Sequence, residues 1–277
     1  MTPALDLGWA LSAHPWLFIV AAAVTGAVMA SFAGLVADRL PEATGVAEPR
    51  FGGEPRTLCR PASSCDACGA RIPLPALTPV LGWLATKGRC PECKSKTSWT
   101  YPAVEFATAS ASAGIAAAYG WGETAALALA LLWFLVALSW ADVLDHWLPE
   151  TLTVPLFFLG LVASPFESDP MARILGATVA CFAVAASVKL VARMRRTSAE
   201  AAVAGGDVAL AAAGGAWLGL SSTPTFLVVA SLAYVAYAAP LRAAGRRETP
   251  MGPGLSVGML VVAFADVGPI FKASLAA

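Results

Sequence analysis

The feature that most constrains this chain is a run of 22 residues, from Trp16 to Ala37, that contains no charged side chain. A helix needs about 20 apolar residues to cross the hydrocarbon core of a bilayer, so this run predicts a transmembrane helix. Only 13% of all residues are charged, about half the share of a soluble domain. Seven more apolar segments can be drawn, at residues 103–119, 124–141, 151–166, 171–192, 207–221, 224–241 and 253–271. The sequence therefore predicts an all-α polytopic protein of the lipid bilayer with about eight transmembrane helices.

A polar loop at residues 38–101 separates the first predicted helix from the second and is rich in Pro, Gly, Cys and charge. It contains two CxxC pairs with 21 residues between them, formed by Cys65 with Cys68 and by Cys90 with Cys93. Each CxxC turn presents two thiolates on one side, and two such turns complete the tetrahedron that zinc prefers. We therefore predict a structural zinc ion held by these four cysteines. Cys59 is a less favoured fifth ligand, and Cys181 lies in an apolar helix as a small hydrophobic residue.

The distribution of Lys and Arg predicts the orientation of the chain. With the N-terminus outside, sixteen of the 18 basic residues fall on the cytoplasmic side, and only Arg173 and Lys272 fall outside. The cysteine loop is then cytoplasmic, where thiols stay reduced. The formal net charge is zero, so nothing indicates a nucleic-acid partner. The predicted organisation is an N-terminal transmembrane helix at 1–37, the zinc-binding loop at 38–101 and a membrane domain at 102–277.

Two aspartates that are far apart in the sequence are predicted to lie at the same cytoplasmic membrane face. Asp142 follows the uncharged segment 124–141, and Asp207 follows Gly205 and Gly206 where a later helix begins. Carboxylates at the end of a membrane helix are costly to hold there and so indicate function. Two acids at one site can share a proton, so one activates a water while the other hydrogen-bonds a carbonyl and protonates the leaving amine. The pair predicts an aspartyl peptidase, in which the two glycines give a peptide backbone room to approach.

Other interpretations of these residues stay open from the sequence alone. Asp207 can be an ordinary helix N-cap after a turn. Asp145 competes with Asp142 for the catalytic role, although we expect it beyond the membrane edge, in a loop with His146. An ion- or proton-coupled transporter that uses Asp142 and Asp207 is a different class of function. Transporter sites usually lie near the bilayer midplane, whereas these acids are predicted at one face.

Several motifs, in order, resemble those of the type IV prepilin peptidases, which are bifunctional leader peptidases and N-methyltransferases of the GxGD aspartyl protease type. The two CxxC pairs match the cysteines of that family, and Asp142 stands seven residues before Pro149 as the first catalytic aspartate does. The other matching segments are residues 30–41 (GSFxNVxxxRLP), 78–84, 98–105 (SWRYPxVE), 204–207 (GxGD) and 250–253 (PFGP).

The resemblance implies Asp142 and Asp207 as catalytic residues and prepilins or pseudopilins as substrates, with a short basic leader before a hydrophobic helix. It implies cleavage at the cytoplasmic face of the bacterial inner membrane, followed by N-methylation of the new N-terminal residue from S-adenosylmethionine. The zinc loop would belong to the methyltransferase part, while the binding residues for the methyl donor stay unknown.

This chain departs from the family pattern at four positions. Gly34, Glu150, Ala204 and Ala209 stand where the family has Asn, Asp, Gly and Lys. Loss of the Asn and Lys side chains leaves open a specialised homologue without methylation. A separate alternative is a catalytically weak homologue that acts as an assembly or scaffold factor.

Overall fold

The computed structural model describes residues 7–49, 54–195, 205–246 and 248–265. Throughout these ranges the regular secondary structure is helical, which confirms the predicted all-α class. The helices are α1 (Leu7–Ala13), α2 (Pro15–Ala43), α3 (Leu81–Ala85), α4 (Thr100–Tyr119), α5 (Glu123–Asp145), α6 (Glu150–Ala163), α7 (Pro170–Arg195), α8 (Gly205–Ala243) and α9 (Gly252–Phe264), with a 3-10 turn at Leu74–Leu77. Some predicted features lie outside the described residues, namely Arg50, Arg196, Ala204, Arg247, Lys272 and the end of segment 253–271.

The chain forms two compact units, Met1–Ala125 and Ala126–Ala277. This division differs from the predicted organisation, in which the membrane domain starts at residue 102, because α4 belongs to the first unit together with α2. Among the described residues, four helices are long and apolar enough to cross a membrane, and these are α2, α5, α7 and α8. The apolar helices α6 and α9 are shorter. The chain is thus a membrane protein, and the count of eight spans stays a prediction.

Helix α8 has 39 residues and consists of two helical segments that are separated by a kink. At Gly219 the backbone leaves the helical region, with φ 74 and ψ 173. A Cβ atom on Gly214 would lie 2.5 Å from the ring of Phe226. Residues that are twelve apart in a straight helix are separated by about 18 Å, so the chain must fold back at Gly219. The two segments correspond to predicted helices 207–221 and 224–241, with the break two residues before the predicted one at Ser221.

In the first unit, α2 packs against α4 through small residues. A Cβ on Gly26 would collide with the side chain of Ser112, so the two backbones approach closely there. On α2, Val20, Val24 and Val28 recur at intervals of four and are all about half exposed, at 54%, 60% and 49%. An exposed apolar stripe on a membrane helix is the face that contacts lipid.

Helix α2 continues to Ala43, six residues beyond the predicted end at Ala37. The charges that were expected to end it are paired with the loop instead. Arg56 forms ion pairs with Asp38 at 2.8 Å and with Glu42 at 2.6 Å. Arg39 donates to the carbonyl oxygens of Thr57 at 3.1 Å and Pro61 at 2.7 Å. The start of the loop is therefore fixed onto the last turns of α2.

In the second unit, α8 packs against α6, α7 and α9 around a core of Leu, Ala, Phe and Trp side chains. Trp217 is fully buried, and its indole N–H donates to the Leu156 carbonyl at 2.9 Å. Gly160 leaves the space that this indole ring fills. The backbones of α7 and α8 meet closely where Gly176 faces Gly215. These contacts fix the first segment of α8, which begins near Asp207.

Candidate functional site

Asp142 lies in the last turn of α5 and is buried, with 5% of its surface exposed. Helix α5 ends at Asp145, four residues beyond the predicted segment 124–141. His146 then adopts φ 51 and donates its backbone N–H to the Asp142 carbonyl at 3.0 Å. Asp145 and His146 are exposed. Burial therefore favours Asp142 as the catalytic candidate over Asp145, which is exposed at the end of the helix.

Asp207 lies inside helix α8, so it is not the residue that caps the helix. Its Oδ1 atom is buried and has no hydrogen-bond partner within the part of the chain that the structure describes. The carboxylates of Asp142 and Asp207 are close enough to interact electrostatically. The structure thus brings together the two aspartates that the sequence places at one membrane face.

Gly252, the first residue of α9, contacts Asp142 directly. Its backbone N–H donates to Asp142 Oδ2 at 2.6 Å, and a Cβ atom at this position would lie 2.7 Å from the same oxygen. Only a residue without a side chain fits here without a shift of the carboxylate. Sequence reasoning did not assign this residue to the site. The available signal was the match of residues 250–253 to a family motif.

A polar cluster fixes the loop that leads to Gly252. The Tyr234 hydroxyl lies 2.9 Å from Thr249 Oγ1, and Arg242 donates to both oxygens, at 2.9 and 3.3 Å. Tyr234 also packs against Gly254, where an added Cβ would lie 2.7 Å from the Tyr234 Cβ. Tyr234 therefore holds the chain on both sides of Gly252, and so sets the position of the N–H that meets Asp142.

The two glycines before Asp207 have different surroundings. A Cβ added to Gly205 would meet nothing within 4 Å, whereas one added to Gly206 would lie 2.7 Å from the Leu148 Cβ. Gly206 is thus required for packing of α8 against the chain that follows α5. Among the described residues, Gly205 borders open space, and its role in the approach of a substrate backbone stays a prediction.

The four predicted metal ligands converge in the first unit. The Sγ atoms of Cys65, Cys68, Cys90 and Cys93 all lie within 4.8 Å of one another. Cys65 and Cys93 are 3.8 Å apart, and Cys68 and Cys90 are 4.0 Å apart. In a tetrahedral site with zinc–sulfur bonds of about 2.3 Å, the sulfurs are about 3.8 Å apart. The donor set and spacing therefore fit a tetrahedral metal ion.

The two cysteine turns have the same local geometry. An isolated bridge flanks each pair, Ser64 with Arg71 and Arg89 with Lys96. The residue after each second cysteine has a left-handed backbone, with φ 71 at Gly69 and φ 61 at Lys94. Both turns are therefore folded in the conformation that directs two thiols to one side.

Ser95, which sequence reasoning missed, lies beside two of these thiols. Its Oγ is 3.4 Å from Cys65 Sγ and 3.2 Å from Cys93 Sγ. Hydrogen bonding with Ser95, supported by backbone N–H groups, lowers the pKa of Cys65 to about 6. The Ala70 N–H favours the thiolate of Cys68, but the neighbouring sulfurs raise its pKa to about 11. Four clustered thiols cannot all ionise together without a cation, so the cluster is suited to hold one.

Three of the positions that depart from the family pattern lie within the described residues, and they differ in burial. Gly34 is buried in α2, Ala209 is half-buried in α8, and Glu150 is exposed at the start of α6. Cys59 is exposed outside the four-cysteine cluster, and Cys181 is half-buried in α7. Neither of these cysteines belongs to the cluster.

Comparison with protein families gives two matches that follow each other along the chain. Residues 24–119 match the bacterial peptidase A24 N-terminal domain, and residues 129–239 match the type IV leader peptidase family. These regions include the four cysteines and both aspartates, respectively.

Curated relatives match over most of their length. The prepilin leader peptidase/N-methyltransferase of Neisseria gonorrhoeae is 31% identical over 265 residues, which cover 88% of this chain and 90% of that protein. A type 4 prepilin-like proteins leader peptide-processing enzyme of Escherichia coli is 33% identical, covering 88% of this chain and 93% of the relative. The prepilin leader peptidase/N-methyltransferase of Pseudomonas aeruginosa is 32% identical, with 83% and 82% covered. No solved structure matches the chain significantly.

Proposed function

Because the chain belongs to the type IV leader peptidase family, we propose that it is a membrane aspartyl endopeptidase that removes the leader peptide of prepilins and pseudopilins. The observation that carries this proposal is the pair of Asp142 and Asp207, which interact electrostatically, while Asp207 Oδ1 is buried with no hydrogen-bond partner among the described residues. A buried carboxylate oxygen is costly to leave unpaired in a purely structural role. A water or a substrate group supplies the missing partner.

The chemistry that this pair supports is hydrolysis without a covalent intermediate. One aspartate, ionised, takes a proton from a water whose oxygen attacks the carbonyl carbon. The other, protonated, hydrogen-bonds the carbonyl oxygen as it gains negative charge. The carbon–nitrogen bond then breaks, and the leaving nitrogen takes a proton to become an amine. The Gly252 N–H holds the Asp142 carboxylate, and Gly205 leaves room for the substrate backbone.

We place this site at the cytoplasmic face of the bacterial inner membrane, with the N-terminus outside. The asymmetry of the basic residues supports this orientation. Asp142 at the end of α5 and Asp207 near the described start of α8 then lie at the membrane edge. A substrate with a basic leader would keep that leader in the cytoplasm while its apolar helix stays in the bilayer.

Leader cleavage by the purified full-length protein tests the proposal. We expect Asp142→Asn and Asp207→Asn each to lower the cleavage rate by about 10³-fold, as for loss of a general acid or base. Asp145→Asn is the matched control at the exposed end of the same helix, and it should cleave normally. Normal cleavage by both catalytic variants would exclude the peptidase, and loss of a proton-coupled flux in them would favour a transporter.

The same enzyme, we propose, methylates the amine that cleavage exposes. Relatives that match over most of the chain carry both activities in their names. S-adenosylmethionine would supply the methyl group from its sulfonium. Gly34 and Ala209 lack the polar side chains of the family. The mass of the mature pilin N-terminus decides between methylation and a specialised peptidase, because only methylation adds the mass of a methyl group.

The metal of the four-cysteine cluster, we propose, is a structural zinc ion. A loop with little apolar core gains folding free energy from such a site. Metal analysis of the purified protein should find one zinc per chain, and Cys65→Ser should remove most of it. Cys59→Ser is the matched control, because Cys59 lies outside the cluster, and it should keep the metal. An unchanged zinc content in Cys65→Ser would count against the site.

A further inference from the structure

Four leucines form an exposed apolar surface on the polar loop of the first unit. Leu74 and Leu77 belong to the 3-10 turn and are 78% and 37% exposed. Leu81 and Leu84 of α3 are 65% and 57% exposed. We refer to these four residues as the leucine surface. The two elements are in contact, because a Cβ atom on Gly82 of α3 would collide with the backbone of Ala76 in the 3-10 turn. A soluble loop has no physical reason to present four leucines to water on adjoining turns.

One buried hydrogen bond sets the level of the leucine surface relative to the bilayer. The Val80 N–H, immediately before α3, donates to Glu105 Oε2 at 2.7 Å. Glu105 is 6% exposed and is the sixth residue of α4. At about 1.5 Å per residue, Glu105 lies less than two turns from the start of that helix. Val80 also has φ 60, a conformation that a β-branched residue adopts only when its surroundings hold it there.

The sequence predicts that segment 103–119, which lies in α4, crosses the membrane, and aromatic residues cluster at the start of this helix. Trp99 and Phe106 are 69% and 65% exposed, and Tyr101 is 39% exposed. Exposed Trp and Tyr at the end of a membrane helix are typical of the headgroup region. Since Glu105 lies within this aromatic stretch and binds Val80, α3 lies beside the headgroup region rather than in bulk water.

Basic side chains adjoin the leucine surface. Residues 71–96 contain five Lys or Arg and a single acid, Glu92. Directly after α3, an open pocket of about 430 Å³ is lined by Lys87, Arg89 and Lys94. The Lys94 ammonium donates to the carbonyl of Pro91, another lining residue, at 2.6 Å. This bond keeps the positive charge of Lys94 beside the pocket. Exposed leucines next to clustered cations are the composition of a segment that lies in an anionic lipid interface.

We infer that the 3-10 turn and α3 lie in the headgroup region of the membrane. The leucine surface inserts among the acyl chains, and the pocket lined by Lys87, Arg89 and Lys94 binds the phosphate of an anionic lipid. This anchoring holds the cysteine loop at the bilayer surface. It does not depend on the proposed catalytic role of the aspartates.

Photo-crosslinking of the full-length protein in lipid nanodiscs tests this inference. A benzophenone amino acid replaces Leu81 or Leu84, and adducts are identified by mass spectrometry after irradiation. Ala67, an exposed residue of the first cysteine turn, is the control position. We expect phospholipid adducts at positions 81 and 84 and few at 67. Nanodiscs that mix phosphatidylcholine with phosphatidylglycerol should give adducts enriched in phosphatidylglycerol. Lys87→Gln and Arg89→Gln should each lower that enrichment by about fivefold.

Each other outcome overturns the inference. Adducts at 81 and 84 to a second copy of the chain, or to an added prepilin peptide, would identify a protein-docking surface instead. Equal lipid adducts at all three positions would mean that α3 has no special contact with the bilayer. Lipid adducts without phosphatidylglycerol enrichment would remove the anionic site. Metal content and leader cleavage, measured on every variant, show that the protein used is folded.

Discussion

Two charged residues of the second unit lie near opposite ends of the first segment of α8. Arg173, in the first turn of α7, lies near the Gly219 end, and Asp207 lies at the other end. Arg173 is 8% exposed, and its guanidinium donates to three backbone carbonyls, those of Leu161, Ser164 and Glu167, at 3.1, 2.9 and 2.7 Å. Near it, Ser164 donates to the Trp217 carbonyl, and Glu167 packs beside Gly219 at the backbone break. At the other end, Asp207 Oδ1 is buried without a partner in the described chain.

Arg173 is a buried charge with a structural role, whereas Asp207 is a buried acid with a proposed catalytic role. Arg173 supplies donors to carbonyls that the end of helix α6 and the following loop leave unsatisfied, so its burial contributes to the fold. The buried oxygen of Asp207 has no such compensation from the described residues, and its carboxylate interacts electrostatically with that of Asp142. A site that must accept a water and a peptide bond needs unused hydrogen-bonding capacity, and it costs stability to keep it. Four variants test this comparison.

The largest effect is expected for Asp207→Asn. Leader cleavage should fall by about 10³-fold, because the variant cannot exchange a proton with water or substrate. Its thermal unfolding midpoint in detergent should be unchanged or higher, since a buried carboxylate loses its charge beside Asp142. A lower midpoint would mean that Asp207 stabilises the fold as Arg173 does, which would contradict the proposed difference between them.

Arg173→Met should show the opposite pattern. Three buried carbonyl groups lose their donor, so the free energy of unfolding should fall by about 3 kcal/mol. Cleavage per folded molecule should change little, because Arg173, in α7, binds carbonyls near the end of the first α8 segment that is opposite Asp207. Arg193→Met, on the exposed face of the same helix, serves as the control and should leave thermal unfolding unchanged. Equal stability of both variants would mean that the carbonyl contacts contribute nothing.

Gly252→Ala tests how the position of Asp142 in the proposed catalytic site affects cleavage. The added methyl group would overlap Asp142 Oδ2 and displace the carboxylate, so we expect kcat to fall by about tenfold to a hundredfold. Gly114→Ala is a matched control, since a Cβ there meets nothing within 4 Å. Steady-state cleavage of a prepilin by both variants gives the comparison. Equal rates would show that the position of Asp142 is not set by Gly252.

The smallest effect is expected for Thr249→Val. It removes the hydrogen bonds to Tyr234 and Arg242 that hold the loop before Gly252. One hydrogen bond contributes about 1 kcal/mol, so kcat should fall by about fivefold with KM unchanged. Thr178→Val removes an exposed hydroxyl from α7 and should leave kcat at the wild-type value. Tyr234→Phe should reproduce the loss, and the double variant should lose little more, because both residues act through one loop.

The sequence predicts the chemistry of local motifs better than the helix ends. The convergence of Cys65, Cys68, Cys90 and Cys93 follows from CxxC spacing, because each turn determines where its own two sulfurs point. The structure brings Asp142 and Asp207 close enough to interact. The membrane face on which they lie stays a prediction from the count of spans and the distribution of the basic residues. The end of α2 was misplaced by six residues. Charge usually marks a membrane exit, whereas here Arg56 pairs with Asp38 and Glu42 and the helix continues.

Contacts made by the backbone could not be predicted in this way. Gly252 reaches Asp142 from 110 residues away, and the bond uses an N–H that every residue but proline has. The break in α8 lies at Gly219 rather than at Ser221 near Pro224, because the first turn of a helix accepts proline without breaking. The hydrogen bond from Val80 to Glu105 depends on a strained φ that composition does not reveal.

Single-turnover cleavage of a prepilin by three variants measures directly whether Asp142 and Asp207 form one catalytic unit. Asp142→Asn, Asp207→Asn and the double variant should all lose about 10³-fold, because removal of either member already disables a shared site. Losses that multiply in the double variant would show two independent contributions. A wild-type rate in either single variant would contradict the account outright.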